Sequence, residues 1–118
     1  MLAAGTANQA RLAGGPVEGP LFDFAPAANE YLRTHLFGDI FERDNLDWQS
    51  RELATLGMLA ALPGAEPKLQ AHMRMGMNAG LTAGQLHQLP ALLAGQVDAG
   101  AAGRARDALA RHLATQAR

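Results

Sequence analysis

Residues that favour β-strands are scarce throughout this chain. Isoleucine occurs once, at Ile40, valine occurs only at Val17 and Val97, and aromatic residues make up 5% of the 118 residues. Alanine, leucine and glycine are abundant instead, and they suit closely packed helices better than a pleated sheet. The composition therefore predicts an all-α fold, and the length is sufficient for one domain with a single modest core.

The charge pattern argues against nucleic-acid and membrane partners. The formal net charge is −1, and the sequence lacks the basic stripe with stacking aromatic residues that a nucleic-acid groove needs. No apolar run approaches the roughly 18 residues that span a bilayer, and the N-terminal stretch lacks the pattern of a signal peptide. We therefore expect a cytoplasmic protein that binds neither nucleic acid nor membrane.

Cysteine is absent from the sequence. This excludes disulfides, thiol nucleophiles, cysteine-based zinc sites and dithiol peroxidase chemistry for this chain. The four histidines show no HxH or HExxH spacing, so we predict no metal site.

Two regions differ in composition. Residues 1–26 are rich in glycine, alanine and proline, which predicts a flexible arm with "LFDF" at 21–24 as an apolar anchor. Residues 27–118 carry helical periodicity and form the expected helical domain. About five helices are predicted, at 27–42, 48–62, 67–79, 83–97 and 104–118, with a turn at 98–103.

Local signals indicate how some of these helices begin and end. Gly80 suits the end of the third helix, and Thr82 with Gln85 three residues later is typical of a capping box. Pro90 is expected to kink or split the fourth helix. The helical glycines at 57, 76 and 84 indicate close approach between helices.

His72 lies in the otherwise apolar stretch "PKLQAHMRMGMNAGL". On a helix starting near Pro67, His72 falls on the same face as the residues expected to be buried, which are Leu69, Met73, Gly76, Met77 and Gly80. An inward imidazole is either a satisfied core residue, bonded to a backbone carbonyl, or an acid–base group. The spacing favours the core interpretation.

Glu52 is the nearest candidate partner for His72. It lies at the edge of the apolar face of the second helix, and a short connection makes the second and third helices antiparallel neighbours. The positions of Glu52 and His72 along this hairpin allow a contact without requiring one. If the two side chains meet, the carboxylate can fix the tautomer of the ring. The alternative is an exposed glutamate that is favoured near a helix N-terminus.

His35 is a second candidate, in "RTHLFGDIF", where Arg33 is near enough to bind an anionic ligand. A partly exposed histidine without a function explains the same pattern. His87 and His112 lie in polar surroundings and are predicted to be surface residues.

Two segments resemble the carboxymuconolactone decarboxylase family, which is related to alkylhydroperoxidase D. They are "YLRTHLFGDIFERDNLDWQSRELATLGMLAAL" and "LQAHMRMGMNAGLTAGQL", and the resemblance covers about residues 29–95. The order of the motifs is that of the family: an aromatic-glycine-acid segment, a helix with "RE", a linker of small residues, and "H…NAGLT" before a further helix.

The resemblance implies a fold of packed helical hairpins that assembles into homo-oligomers, often trimers or hexamers. His72 matches the histidine of the family motif, and Glu52 matches the glutamate of the proton relay in the peroxidase branch. That branch carries a CxxC before the histidine, where this chain reads Ala65-Glu66-Pro67-Lys68. The cysteine-free decarboxylase branch is therefore favoured.

The decarboxylase branch implies a reaction that removes CO2 from a small carboxylated lactone without a cofactor. His72 would then be the acid, oriented by Glu52, and Arg33, Arg51 or His35 would bind the substrate anion. The competing hypothesis is a non-catalytic, homo-oligomeric helical module that binds a small apolar or acidic molecule.

Overall fold

The computed structural model describes residues 1–116, and within this range the protein is all-α, as the composition predicts. The number of helices is larger than the five expected. The α-helices are α1 (Leu2–Ala13), α2 (Pro20–Phe24), α3 (Pro26–Tyr31), α4 (Trp48–Ala60), α5 (Glu66–Asn78), α6 (Ala83–Gln96) and α7 (Ala99–Gln116), and a π-helix (Leu32–Ile40) lies between α3 and α4.

The described chain divides into two compact units, the first formed by residues 1–48 and the second beginning at Gln49. In the first unit, α1 packs against the π-helix. Gly5 makes this contact close, because a Cβ atom there would overlap the carbonyl oxygen of Arg33. The first 26 residues, which their composition predicts to be a flexible arm, thus contain two helices and supply one partner of this pair.

The sequence predicts one helix over residues 27–42, and most of that range is instead the π-helix. Its backbone bonds widen to five-residue spacing, as in the bond from the amide of Phe41 to the carbonyl of Leu36 (3.0 Å). The side-chain amide of Asn8 donates to the carbonyl of Phe37 (2.8 Å), which ties α1 to the π-helix. Phe41 then contacts Trp48, whose indole N–H donates to the Phe41 carbonyl (3.0 Å).

The second unit has one core made of leucine, alanine and methionine side chains. None of these residues is branched at Cβ, which favours helices, and α7 packs against both α5 and α6. The Nε of Arg104 on α7 also donates to the carbonyl of Ala60 on α4 (2.7 Å). The core residues are Leu56, Ala60, Leu69, Met73, Leu81, Leu86, Leu89, Leu93, Ala101, Ala102, Ala105, Ala108 and Leu109.

The local signals are confirmed at two of the helix ends. Gly80 has a φ of 117°, in the left-handed region that favours glycine. Thr82 and Gln85 form the predicted capping box: the amide of Gln85 donates to Oγ1 of Thr82 (3.1 Å), and the amide of Thr82 donates to Oε1 of Gln85 (2.9 Å).

Two other expectations are corrected. The helix α6 continues through Pro90 from Ala83 to Gln96, so the expected split does not occur, while a kink at Pro90 stays a prediction. The stretch 98–103 is predicted to be a turn, but its residues 99–103 form the beginning of α7. Asp98 explains the early start, since its Oδ1 accepts a hydrogen bond from the amide of Ala101 (2.7 Å) and so satisfies a donor of the first turn. None of the helices in residues 1–116 is long and apolar enough to cross a membrane.

Candidate active site

Glu52 and His72 form a hydrogen-bonded pair. Oε2 of Glu52 lies 2.7 Å from Nδ1 of His72. The Glu52 carboxylate is buried, with 2% of its side chain exposed, whereas 21% of the His72 side chain is exposed. The idea of an exposed glutamate at this position is therefore wrong, and the partner of His72 is a carboxylate.

The neighbouring residues hold the pair between α4 and α5. Leu56 lies one turn after Glu52, and Met73 directly follows His72. Leu56 and Met73 are fully buried. Gly76 on α5 lies beside α4, since a Cβ there would lie 3.8 Å from the Cβ of Glu52, an ordinary contact distance. The one tight contact of such a Cβ would be with Cδ1 of Leu81 (3.1 Å), which lies beyond the end of α5. A Cβ at Gly57 or Gly84 would meet no atom of another helix, so these two glycines do not mark the close approach that the sequence predicts.

This geometry determines which ring nitrogen is available for chemistry. An ionised carboxylate can only accept a hydrogen bond, so Nδ1 of His72 carries the hydrogen in the pair. Nε2 is then the nitrogen that can exchange a proton with a bound molecule. A histidine held in one tautomer by a buried carboxylate is an arrangement suited to general acid–base catalysis.

Arg33 and His35 belong to the first unit, on the π-helix. Arg33 is half-buried, and its Nε donates to Oε1 of Gln9 (2.8 Å). His35 is exposed, with Nδ1 3.5 Å from Oδ2 of Asp39 one turn later. The exposure of His35 agrees with the alternative of a histidine at the surface, and a role for either residue in substrate binding stays a prediction.

The remaining candidates lie in the second unit. Arg51 is half-buried on α4, and adjacent helical residues such as Arg51 and Glu52 do not share a face. His87 is exposed, as predicted. His112 is not a surface residue: it is 4% exposed, and its Nε2 is buried without a hydrogen-bond partner. Burial lowers the pKa of His112, and the positive charge of Arg74 lowers it further.

Two buried polar residues were not predicted from the sequence. Gln9 is 3% exposed and Asn29 is 6% exposed, and Nε2 of Gln9 donates to Oδ1 of Asn29 (2.8 Å). Neither residue belongs to a motif, and Gln9 lies within residues 1–26, whose composition predicts a flexible arm. Within residues 1–116, no group of three or more His, Asp or Glu side chains is arranged to hold a metal ion.

Comparison with known proteins agrees with the resemblance seen in the sequence. The model of the carboxymuconolactone decarboxylase family matches residues 26–111, which include both Glu52 and His72. A comparison with curated proteins finds no match. The family match covers well over half of the chain, and this chain therefore belongs to the carboxymuconolactone decarboxylase family.

Proposed function

We propose that the chain is a cofactor-independent lyase that removes CO2 from a small carboxylated lactone or a related acid. One observation carries the proposal: Oε2 of the buried Glu52 lies 2.7 Å from Nδ1 of the partly exposed His72. Family membership supports the same class of chemistry. Thiol peroxidase chemistry is excluded for this chain because it has no cysteine.

The proposed reaction needs one acid. The bond between the substrate carbon and its carboxylate breaks, CO2 leaves, and the electron pair remains as an enolate that extends onto the lactone carbonyl. Protonated His72 then donates its Nε2 proton to carbon, and Glu52 keeps the ring in place by accepting from Nδ1. Solvent restores the proton of His72, so that no electron acceptor or second substrate is required.

A substrate carboxylate also needs a cationic partner. Arg51 stays our candidate in the second unit as the half-buried arginine of α4, although its side chain lies on a different face of that helix from Glu52. A guanidinium can bind a carboxylate through two parallel hydrogen bonds. Arg33 and His35 in the first unit stay predictions for the same role.

The proposal is tested by incubating the full chain with a panel of small carboxylated lactones in D2O. We expect release of CO2 and one deuterium on carbon in the product. His72→Gln should lower the rate about 10²- to 10⁴-fold, the usual contribution of a general acid. His87→Gln is the matched control, because His87 is exposed on α6, and it should leave the rate unchanged.

A second readout does not depend on finding the substrate. NMR of the imidazole nitrogens should show the neutral ring of His72 as the Nδ1–H tautomer, and Glu52→Leu should release that preference. The lyase proposal is wrong if every lactone acid is left intact, or if turnover survives His72→Gln.

An apolar groove in the second unit favours the competing hypothesis of a non-catalytic binding module. Its volume is about 330 Å3, within the range of small-molecule sites. NMR titration with octanoate should then shift the signals of the lining residues in wild type and in His72→Gln alike, whereas no turnover should be seen. The groove is lined by Leu53, Leu81, Gln85, Leu86, Gln88, Leu89 and Leu92.

A further inference from the structure

The first unit contains a cavity of about 490 Å3, a size within the range of small-molecule sites. One wall is a single helical face: Pro26, Asn29, Glu30 and Arg33 follow the spacing i, i+3, i+4, i+7 along α3 and the first turn of the π-helix. The other lining residues are Leu2, Val17, Glu18, Phe22 and Asp23.

A buried polar chain orients the cationic group of this cavity. Nε of Arg33 donates to Oε1 of Gln9 (2.8 Å), and Nε2 of Gln9 donates to Oδ1 of Asn29 (2.8 Å). Because Gln9 is 3% exposed, its amide has one arrangement that satisfies both neighbours. The guanidinium is therefore fixed through Nε, while Nη1 and Nη2 keep their donors for a ligand.

Asn29 adds a second set of donors to the same cavity. Its side chain is more than nine-tenths buried and lines the cavity, and its oxygen accepts from Gln9. With the oxygen engaged by Gln9, Nδ2 of Asn29 carries the two N–H donors of this side-chain amide. Asn29 and Arg33, one turn apart, thus present N–H groups suited to a carboxylate.

The acidic residues show that a simple anion is the wrong ligand. Three carboxylates line the cavity, those of Glu18, Asp23 and Glu30, and within the described chain none of them forms an ion pair with Arg33. Three negative charges against one positive charge repel an anion that brings no positive group. The three carboxylates attract an ammonium group. Arg33 and Asn29 can bind a carboxylate of the same ligand molecule.

We propose that this cavity binds a small zwitterion of the α-amino acid class with an apolar side chain. The carboxylate would contact Arg33 and Asn29, the ammonium group would contact the acidic residues, and the apolar side chain would pack against Leu2, Val17 and Phe22. This site goes beyond the proposed lyase function and does not rest on it, since the cavity contains neither Glu52 nor His72.

The test is an NMR titration of the full, isotope-labelled chain with L-leucine and L-phenylalanine. We expect saturable shifts at Asn29, including its side-chain amide, and at Val17 and Phe22. Isocaproate lacks the ammonium group and isoamylamine lacks the carboxylate, so each should bind at least about tenfold more weakly than leucine.

Variants separate the two halves of the site. Arg33→Gln should weaken leucine binding at least about tenfold, whereas Arg106→Gln, an exposed arginine on α7, should not change it. Because Arg33→Gln also removes a bond to Gln9, the exposed pair Glu18→Gln with Glu30→Gln provides a second test that leaves the buried chain intact. That double variant should remove the preference for leucine over isocaproate.

The proposal is overturned by any of three results. These are the absence of saturable shifts at up to about 10 mM amino acid, equal binding of either single-charge analogue, and leucine binding that persists in both variants. Lactone turnover is measured on the same samples. Turnover by the wild-type chain reports on the lyase proposal, and leucine binding by the same chain reports on this cavity, so failure of one proposal is distinguishable from failure of the other.

Discussion

The carboxylate of Glu52 and Nδ1 of His72 lie 2.7 Å apart although 20 residues separate them in the sequence. The two side chains meet from α4 and α5, one nearly inaccessible and one partly exposed. A buried carboxylate that orients a more accessible imidazole is an arrangement suited to proton transfer.

We predict that Glu52 and His72 act as one unit on any substrate that the chain turns over. Glu52→Gln should lower kcat about 10²-fold, because a neutral amide holds the ring but does not stabilise its charged form. The double variant Glu52→Gln with His72→Gln should be no slower than His72→Gln alone. Steady-state kinetics of the four proteins checks this, and rate losses that multiply would contradict it.

Gly5 should be the most sensitive glycine in the first unit. Gly5→Ala places a Cβ on the carbonyl oxygen of Arg33, a backbone atom that cannot move aside, and should destabilise this unit by about 3 kcal/mol or more. Gly103→Ala is the control: its Cβ meets no atom within 4 Å, and it should stabilise α7 by about 0.5–1 kcal/mol. Urea denaturation measures both, and equal effects would show that α1 does not pack as described.

The capping box at the start of α6 should contribute measurably to stability. Thr82→Ala removes the acceptor of the Gln85 amide and should cost about 1 kcal/mol in the free energy of unfolding. Thr115→Ala, at the exposed end of α7, should change it by less than about 0.5 kcal/mol. Two unfolding curves with the same midpoint would argue against a role for the cap.

His112 should make the protein less stable in acid. Its pKa is lowered in the folded state by burial and by Arg74, so the unfolded chain binds the proton more readily. Stability from this residue is therefore complete above the unfolded value of about 6.5 and is lost as the pH falls below it. Denaturation curves at a fixed protein concentration, from about pH 5 to pH 8, check the direction.

Two histidine variants isolate this effect. His112→Leu removes the titrating group and should flatten the pH dependence around neutrality, since leucine fills a similar buried space. His87→Gln alters an exposed histidine and should retain the dependence of the wild type. If His112→Leu still loses stability over the same pH window, another group is responsible.

We also predict a homo-oligomer, on the pattern of trimers or hexamers that the family resemblance implies. Several large apolar side chains of the second unit are exposed, including Met58 at 62% and Leu92 at 58%. Sedimentation velocity should give more than twice the mass of one chain. Leu92→Glu should shift the distribution to smaller species, whereas Gln96→Glu should not, and a monomeric wild type at micromolar concentration would contradict the prediction.

Where the sequence carries a repeating or motif-level signal, it predicts the structure well. The apolar stripe of α5 correctly places Leu69, Met73 and Gly76 in the interior, and the capping box at Thr82 forms as expected. These features depend on spacing within one helix, which is visible in the sequence. The Glu52–His72 contact depends on how two helices align, so the sequence allowed it without requiring it.

Two predictions failed for different reasons. The polar neighbours of His112 predict a surface position, although His112 shares a helical face with the buried Ala105, Ala108 and Leu109. The arm-like composition of residues 1–26 hides α1, because the helix is supported by a close contact between Gly5 and the π-helix. Gln9 forms hydrogen bonds with Asn29 and Arg33, which lie 20 and 24 residues later in the chain. No local sequence pattern predicts contacts over such separations.

The division into units has a consequence for how quickly the chain finds its structure. The pairing of α1 with the π-helix is completed within residues 1–48, and the core of α4 to α7 is completed between Leu56 and Leu109. Contacts that close over short stretches of chain cost little loop-closure entropy. Each unit should therefore fold on the microsecond-to-millisecond timescale of helical proteins with low contact order.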